Sequence, residues 1–495
     1  MNRYLLLILT WVFCSCGDFL SESSQEEMKP KTTSSFSEIL WGEGYYKYSF
    51  ESMIAYMDDD ITCRMPYNKD HDKDDIMNKE LYTWQPHAAD KLIDQGNESS
   101  VLPWKKYYQR IKGSNIVLEY AGNSVGEQKD KDHLLGEAHV LRAFYYFQLV
   151  NLYGWPYNDT QTSPEKSLGV PLVLAPEIGG KHYARASVAE VYGQIVKDVE
   201  EGIRLLEKEK RQLTNFRLHH VSAHLLASRI YLYMNKWDKA LEHAQYVTER
   251  YDLPDFTGYT DTEYKTKSLY RPLNDEIMWY YGSKNVVSSL DMAFASSSYE
   301  PASGLYALFD EDHDVTDKRK TFYFLQKTDY TGTVLLEVKK WTSSTSDYGL
   351  GLRASEAYLN EIEAFLEKYN EGDAEAGREG LQRLNAFRAK RLVAKNGDVL
   401  PEIPMQAAED LLEIYRKERR KELCYEGQRW FDLRRYGMPR LEKPWMLSST
   451  EKEIFVLEER DPMYALDIPT NVMDLNEMLE QNPNVPNSGR MPSNN

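Results

Sequence analysis

Apolar residues recur at helical spacing along most of the chain. Between Asp130 and Tyr153, Ala138, Leu141, Tyr145, Leu149 and Leu152 fall on one stripe, and Val140, Phe144 and Phe147 form a second beside it. A helix that is apolar on two sides packs on two sides. Gly154-Trp155-Pro156 ends it, with glycine where a left-handed cap is expected and proline just beyond. Ser222 to Tyr251 reads as a helix, a break at Asn235-Lys236 and a second helix, in which Ala240 and Ala244 permit close approach. The alternation of small and large residues is that of a tetratricopeptide unit, about 34 residues long. The same periodicity marks helices at Trp104–Ala121, Ser187–Leu206, Ala354–Tyr369, Ala374–Lys390 and Ala407–Tyr436. Together these helices make four antiparallel pairs, so a mainly α fold is expected.

Three long segments break the helical pattern. Asp58 to Pro103 is polar and studded with Tyr and Trp. Tyr251 to Gly351 holds short strand-like runs, EIMWYYG and TVLLEVKKW, among Ser, Gly and Asp. Leu441 to Asn495 is rich in Pro and Asn. Long irregular segments in a compact protein usually carry function. The expected architecture is therefore a helical scaffold of four tetratricopeptide-like pairs with an irregular, loop-rich lobe carrying short strands. That lobe comes mainly from 58–103 and 251–351.

The first residues have a different plan. A single positive charge in Met1–Tyr4 precedes an apolar run from Leu5 to Phe13, as in a signal peptide. The run is too short to span a bilayer, which takes about 20 residues. Ser15 supplies the small residue before a cleavage point that would leave Cys16 as the new N-terminus. This resembles the lipobox of bacterial lipoproteins, although Phe13 and Cys14 stand where Leu and a small residue are usual. Acyl chains contribute about 0.8 kcal/mol per buried methylene, so several chains on Cys16 make a stable anchor. Gly17 to Ser35, rich in Ser, Glu, Lys and Thr, then reads as a tether. The expected division is 1–15 signal peptide, 16–35 lipidated N-terminus and tether, and 36–495 a single domain, although length alone would suggest about three.

Composition narrows the ligand. Lys and Arg total 60 against 78 Asp and Glu, a formal charge of −18. Such a chain gains nothing from phosphate attraction, which argues against nucleic acid. Tyr, at 36, outnumbers Phe (16) and Trp (10) combined. Tyr and Trp pair an apolar face with a polar handle, which suits sugars but serves a helical core equally well. Of the cysteines left after cleavage and lipidation, only Cys63 and Cys424 could pair, and their spacing does not say whether they do.

Gly136–Pro156, Ser355–Glu367 with Leu381–Arg391, Arg416–Gly437 (RKERRKELCYEGQRWFDLRRYG) and the ending Tyr464–Pro483 follow one another in a distinctive order. Together these segments resemble the SusD/RagB family of outer-membrane nutrient-binding lipoproteins. The start, Cys16 followed by Asp18-Phe19-Leu20, is similar too. Cys424 departs from the pattern by standing where a small apolar residue is common, which suggests a packed thiol. The resemblance implies one domain of four helix pairs with a binding lobe, docked on a TonB-dependent transporter of the SusC type. It also implies capture of oligosaccharides, or in some members of peptides, at the outer membrane, with no cofactor and no catalysis.

The motif residues themselves read as structural. Glu418, Arg419, Arg420 and Glu422 lie among Leu423, Trp430 and Leu433, where charges persist only when paired. A glycosidase needs just two carboxylates, so a surface hydrolase stands as the reading from another class. Asp70-His-Asp72-Lys-Asp74 alternates like a calcium loop, but Asp75 and Leu81 replace the turn glycine and the bidentate glutamate, and a solvated acidic loop is the better reading. No Gly-rich phosphate loop, HExxH or GxSxG is present. Family precedent carries no transferable binding motif, so ligand contacts are chosen by chemistry: Arg64, Tyr67 and Trp84 from the first loop region, then Tyr281, Tyr299 and Trp341 from the second.

Overall fold

The computed structural model describes residues 30–45, 52–64, 78–95, 103–176, 181–260, 269, 274–281, 299–328, 334–340, 350–395, 399–448 and 450–493. Among the described residues nine helices carry the frame: α1 (Pro103–Tyr120), α2 (Gln128–Tyr153), α3 (Val188–Leu206), α4 (His220–Tyr233), α5 (Trp237–Thr248), α6 (Ala354–Asn370), α7 (Ala374–Ala389), α8 (Ala408–Leu423) and α9 (Arg429–Arg435). Neighbours in sequence pack as neighbours in space: α2 lies between α1 and α3, α4 packs on α5, α5 on α6, and α6 on α7 and α8. Three-residue connections at 234–236 and 371–373 force α4/α5 and α6/α7 to run antiparallel.

Both stripes of α2 are buried, and from Gly136 to Tyr153 only His139 keeps partial exposure. Its close approach to α3 requires glycine. A Cβ on Gly136 would stand 2.8 Å from Leu206 and 3.1 Å from the Gly202 carbonyl, and one on Gly202 would stand 2.5 Å from Val140. Ser187 and Glu190 close a reciprocal capping box at the start of α3. Gly154, expected in a left-handed cap, is instead extended at φ −102° and ψ 166°. The Arg434 guanidinium donates to the Asn151 and Gly154 carbonyls and satisfies the helix end in place of a turn.

The expected single helix over Ala407–Tyr436 is two. The chain leaves helical geometry at Cys424, with Tyr425 at φ 63° and Gly427 at φ 72°, before α9 begins. The cause is tertiary. Outside the helix, Glu426 accepts from Lys340 Nζ at 2.7 Å and Arg353 Nε at 2.9 Å, while the Tyr425 hydroxyl donates to the Asp60 carbonyl at 3.0 Å.

The irregular segments contribute two-stranded antiparallel ladders. Ile61–Cys63 pairs with Tyr299–Pro301, Ile277–Tyr281 with Leu350–Arg353, Val315–Asp317 with Leu392–Ala394, Phe324–Thr328 with Val334–Val338, and Leu441–Met446 with Lys452–Leu457. One apolar core runs through α1–α5 and four of these ladders, all but Val315–Asp317 with Leu392–Ala394, and a smaller one fills the space between α6, α7 and α8. Among the described residues no helix is long and apolar enough to cross a membrane.

The charges of the Arg416–Gly437 motif fasten the scaffold to the lobe. Arg419 bonds Asp432, Gln428 and Asn360, while Glu418 accepts from Arg319 and Lys421. Arg420 and Arg429 reach Asp60 and Asp59 of the first loop region at 2.8 and 2.7 Å. Two guanidiniums hold the Asp59 carboxyl well below the usual range against the opposing effect of burial. Cys63 and Cys424 are free, buried thiols, and burial pushes Cys424 up to about 12.

Candidate ligand-binding site

Of the contacts expected from sequence, Tyr67 and Trp341 lie outside the described residues, as do Cys16 and the acidic loop Asp70–Asp74. Arg64 is half-buried, with its guanidinium 3.9 Å from Glu300. Trp84, Tyr281 and Tyr299 are buried, so their ring faces meet protein rather than a ligand in this conformation. The Trp84 indole N–H donates to the Met57 carbonyl at 2.7 Å, and the Lys443 ammonium sits 4.7 Å from its ring. Tyr281 packs on Phe144 and Trp279 with ring centroids 5.1 and 5.2 Å away, and Tyr299 on Tyr56 and Tyr82 at 5.2 and 5.3 Å. Half-polar rings fill a core as readily as they stack on sugars.

A cleft of about 510 Å³ opens elsewhere. Its floor is Trp104, buried at 6% exposure with one edge on the cleft, and the half-buried Tyr108, four residues apart on one face of α1, with ring centroids 5.3 Å apart and planes tilted by 48°. One wall is the connection after α2. The Tyr108 hydroxyl donates to the Pro171 carbonyl at 2.7 Å, Asn115 donates to the Val173 carbonyl at 2.8 Å, and the Val173 N–H donates to the Tyr146 hydroxyl at 2.7 Å. Burial first, and then Tyr146, push the Tyr108 phenol well above its ordinary value, so it remains a donor.

The other wall is the C-terminal segment. The Leu466 N–H joins the Leu152 carbonyl at 2.8 Å, and Thr470 bonds Asp90 through its N–H and hydroxyl at 2.9 and 2.6 Å. Asn476 donates to the Tyr183 carbonyl at 2.8 Å, which closes the cleft across its far end. Arg185 ties both walls to the frame by donating to the carbonyls of Gly169, Tyr153 and Glu480. Gln109, Lys112 and Asn471 bring polar groups to the lining, while Leu475 stands 80% exposed at its edge. An apolar, aromatic concavity with a few convergent polar groups is the usual form of a small-molecule site.

Two family models account for most of the chain. One, described as starch-binding associating with outer membrane, matches residues 18–232, and the SusD family model matches residues 259–484. The chain belongs to the SusD/RagB family. The SusD-like protein P38 of Formosa agariphila is 22% identical over 405 residues, covering 70% of this chain and 75% of that protein. Among solved structures, a SusD superfamily protein from Bacteroides thetaiotaomicron aligns with a TM-score of 0.68 at 23% identity, over 91% of this chain and 100% of its own. A laminarin-binding SusD-like protein aligns with a TM-score of 0.61 at 18% identity, over 92% and 100%.

As a SusD/RagB chain, the protein has the mainly helical frame of the aligned structures and falls, over residues 18–232, in a family described as starch-binding and associating with outer membrane. The ligand contacts expected from sequence are loop aromatics, and none of them lines this cleft of the SusD/RagB fold. Half of its signal was visible, since Trp104 and Tyr108 share a helix face. The other half, Tyr183 and Asn476, lies 293 residues apart and meets only through the tertiary fold.

Proposed function

We propose that this protein is a lipid-anchored, surface-exposed lipoprotein of the outer membrane. In this reading it captures oligosaccharides and passes them to a TonB-dependent transporter of the SusC type. The observation that carries glycan capture is the cleft floor, where the tilted Trp104–Tyr108 pair lies beside amide and hydroxyl groups that suit a sugar's apolar face and hydroxyl rim. Arg64, Tyr67 and Trp341 remain proposed ligand contacts, while Trp84, Tyr281 and Tyr299 are buried among other side chains. Binding needs no catalytic pair. The carboxylates of Glu418, Glu422 and Glu426 are each held by Arg or Lys, which leaves them poorly placed for hydrolysis.

A peptide ligand is the second reading. It is favoured by the apolar side of the cleft, Val472, Leu475 and Leu479, which would receive aliphatic side chains. A panel of starch oligosaccharides, laminarin oligosaccharides and peptides, offered to the intact protein, separates the two. For the ligand that binds, Tyr183→Ala and Gln109→Ala are then measured by calorimetry beside a melting curve. A true platform residue should cost about tenfold or more in affinity with the fold retained. Full-strength binding by both variants and by Trp104→Phe would move the site out of the cleft.

A further inference from the structure

A second cavity, of about 260 Å³, lies among the turn after α2, the α4–α5 break, α6, α8 and the end of α9. Four guanidiniums line it, Arg416, Arg434, Arg435 and Arg460, against the three carboxylates of Asp159, Glu363 and Glu367. In a chain of formal charge −18, a concavity with a cationic excess stands apart.

The excess can be located. Arg460 holds Asp159 through two bonds of 2.6 and 2.9 Å, and Arg435 grips both oxygens of Glu363, so these pairs are closed. Arg416 is only loosely paired, 3.5 Å from Glu367, and its guanidinium lies 4.5 Å from the centre of the Tyr436 ring with the side chain 40% exposed. Arg434 is 2% exposed, and among the described residues no carboxylate stands beside it. Its two Nη groups cap the carbonyls of Asn151 and Gly154, which fixes the guanidinium without neutralising it, and its Nε–H has no hydrogen-bond partner. Burial lowers its proton affinity to about 10, so it stays charged at neutral pH.

Neutral groups complete the lining. The Thr160 side chain is exposed, the Asn158 amide donates to Asn235 Oδ1 at 3.3 Å, and the Trp237 ring lies on the wall, anchored by its indole N–H to Glu371 at 2.7 Å. A planar fork beside an aromatic ring and neutral amides is the chemistry that recognises a carboxylate on a small polar molecule.

The geometry points to a carboxylate-binding site in this cavity, in which Arg416 engages the anion and the fixed charge of Arg434 supplies the attraction behind it. The group recognised is the same whether it comes from a uronic acid residue of a glycan or from the C-terminus of a short peptide. This site is separate from the aromatic cleft and does not rest on the glycan reading of that cleft.

The test uses the intact protein at pH 7 and low salt, titrated with D-glucuronate, N-acetyl-L-alanine and D-glucose and followed by calorimetry and by the fluorescence change abolished in Trp237→Phe. At least one carboxylate should bind more tightly than glucose, and binding should weaken as salt rises. Arg416→Gln, at an exposed position, should cost about tenfold, with partial recovery in Arg416→Lys. Glucuronate alone binding supports the site and assigns it to acidic glycans, and N-acetylalanine alone assigns it to peptide termini. Tyr183→Ala should leave all of this unchanged, so failure of the cleft and failure of this cavity are told apart. Carboxylates that bind no better than glucose, or binding indifferent to Arg416→Gln in a folded variant, overturn the proposal.

Discussion

Glu422 is the junction at which removal of one charge should cost most. Its carboxylate is fully buried and accepts from Arg391 Nε and Nη2 at 2.9 and 3.0 Å, Arg353 Nη1 at 2.9 Å, Arg319 Nη1 at 3.4 Å and the Tyr323 hydroxyl at 3.2 Å. These partners come from the turn just after α7, the strand before α6 and the helix at Lys318–Tyr323, so the residue fastens α8 to three other parts of the fold. Glu422→Gln keeps the shape but removes the charge, and it turns amide hydrogens toward guanidinium donors. Breaking a buried ion pair from one side costs about 3–5 kcal/mol. At about 2 cal/mol/K per residue, a fold of this length has a melting entropy near 1 kcal/mol/K, so the melting temperature should drop by about 3–5 °C. Despite burial, the adjacent arginines hold the Glu422 carboxyl well below its ordinary range. Its stabilisation is therefore fully present above the unfolded-chain value of about 4.3 and fades as pH falls below it, where the unfolded state binds the extra proton. Urea unfolding followed by circular dichroism from pH 7 to pH 3.5 gives both quantities. A gap between parent and variant under about 1 kcal/mol at pH 7, or one that widens with acid, would refute this account of the junction.

Other outcomes follow from packing, protonation and the N-terminus. Ala240 and Ala244 are fully buried where α5 meets its neighbours, so Ala244→Trp should overpack the contact and cost about 1–3 kcal/mol; an unchanged melting temperature would contradict that packing. Burial lowers the His219 imidazole to about 4, with His220 adding to the effect. The unfolded chain then binds a proton near 6.5 that the folded one refuses, so stability is full above pH 6.5 and falls by about 3 kcal/mol toward pH 4. His219→Gln should flatten that fall relative to the parent, and equal slopes would exclude His219 as its source. Cys16→Ala should shift the protein from the outer-membrane to the soluble fraction with ligand binding intact; retention after a high-salt wash would show that another feature holds it.

What could be read from sequence depended on how far apart the determining residues lie. The double stripe of α2 and the small residues of α5 are decided within a few turns, and periodicity finds them. The break between α8 and α9 is not local, because the apolar period continues straight through it. The chain departs there because Glu426 finds Lys340 and Arg353, 86 and 73 residues away, and no pattern in the motif announces those partners. Gly154 failed as a left-handed cap for the same reason, since Arg434 arrives from 280 residues away to take the free carbonyls.

The aromatic residues set a different limit. Trp84 and Trp104 are the same residue type near the same irregular segment and both are buried, yet one hands its indole N–H to Met57 inside the core while the other, 6% exposed, reaches the lining of a cleft. A ring that is half polar satisfies either environment, so composition ranks both equally, and only the backbone around them decides. Charge is more informative, because the penalty for a lone buried ion is too large to be met in more than one way. That is why Arg416–Gly437 could be read as structural before any partner was known. It is also why Arg434, the member of that run left without a carboxylate, marks the place where a ligand can supply one.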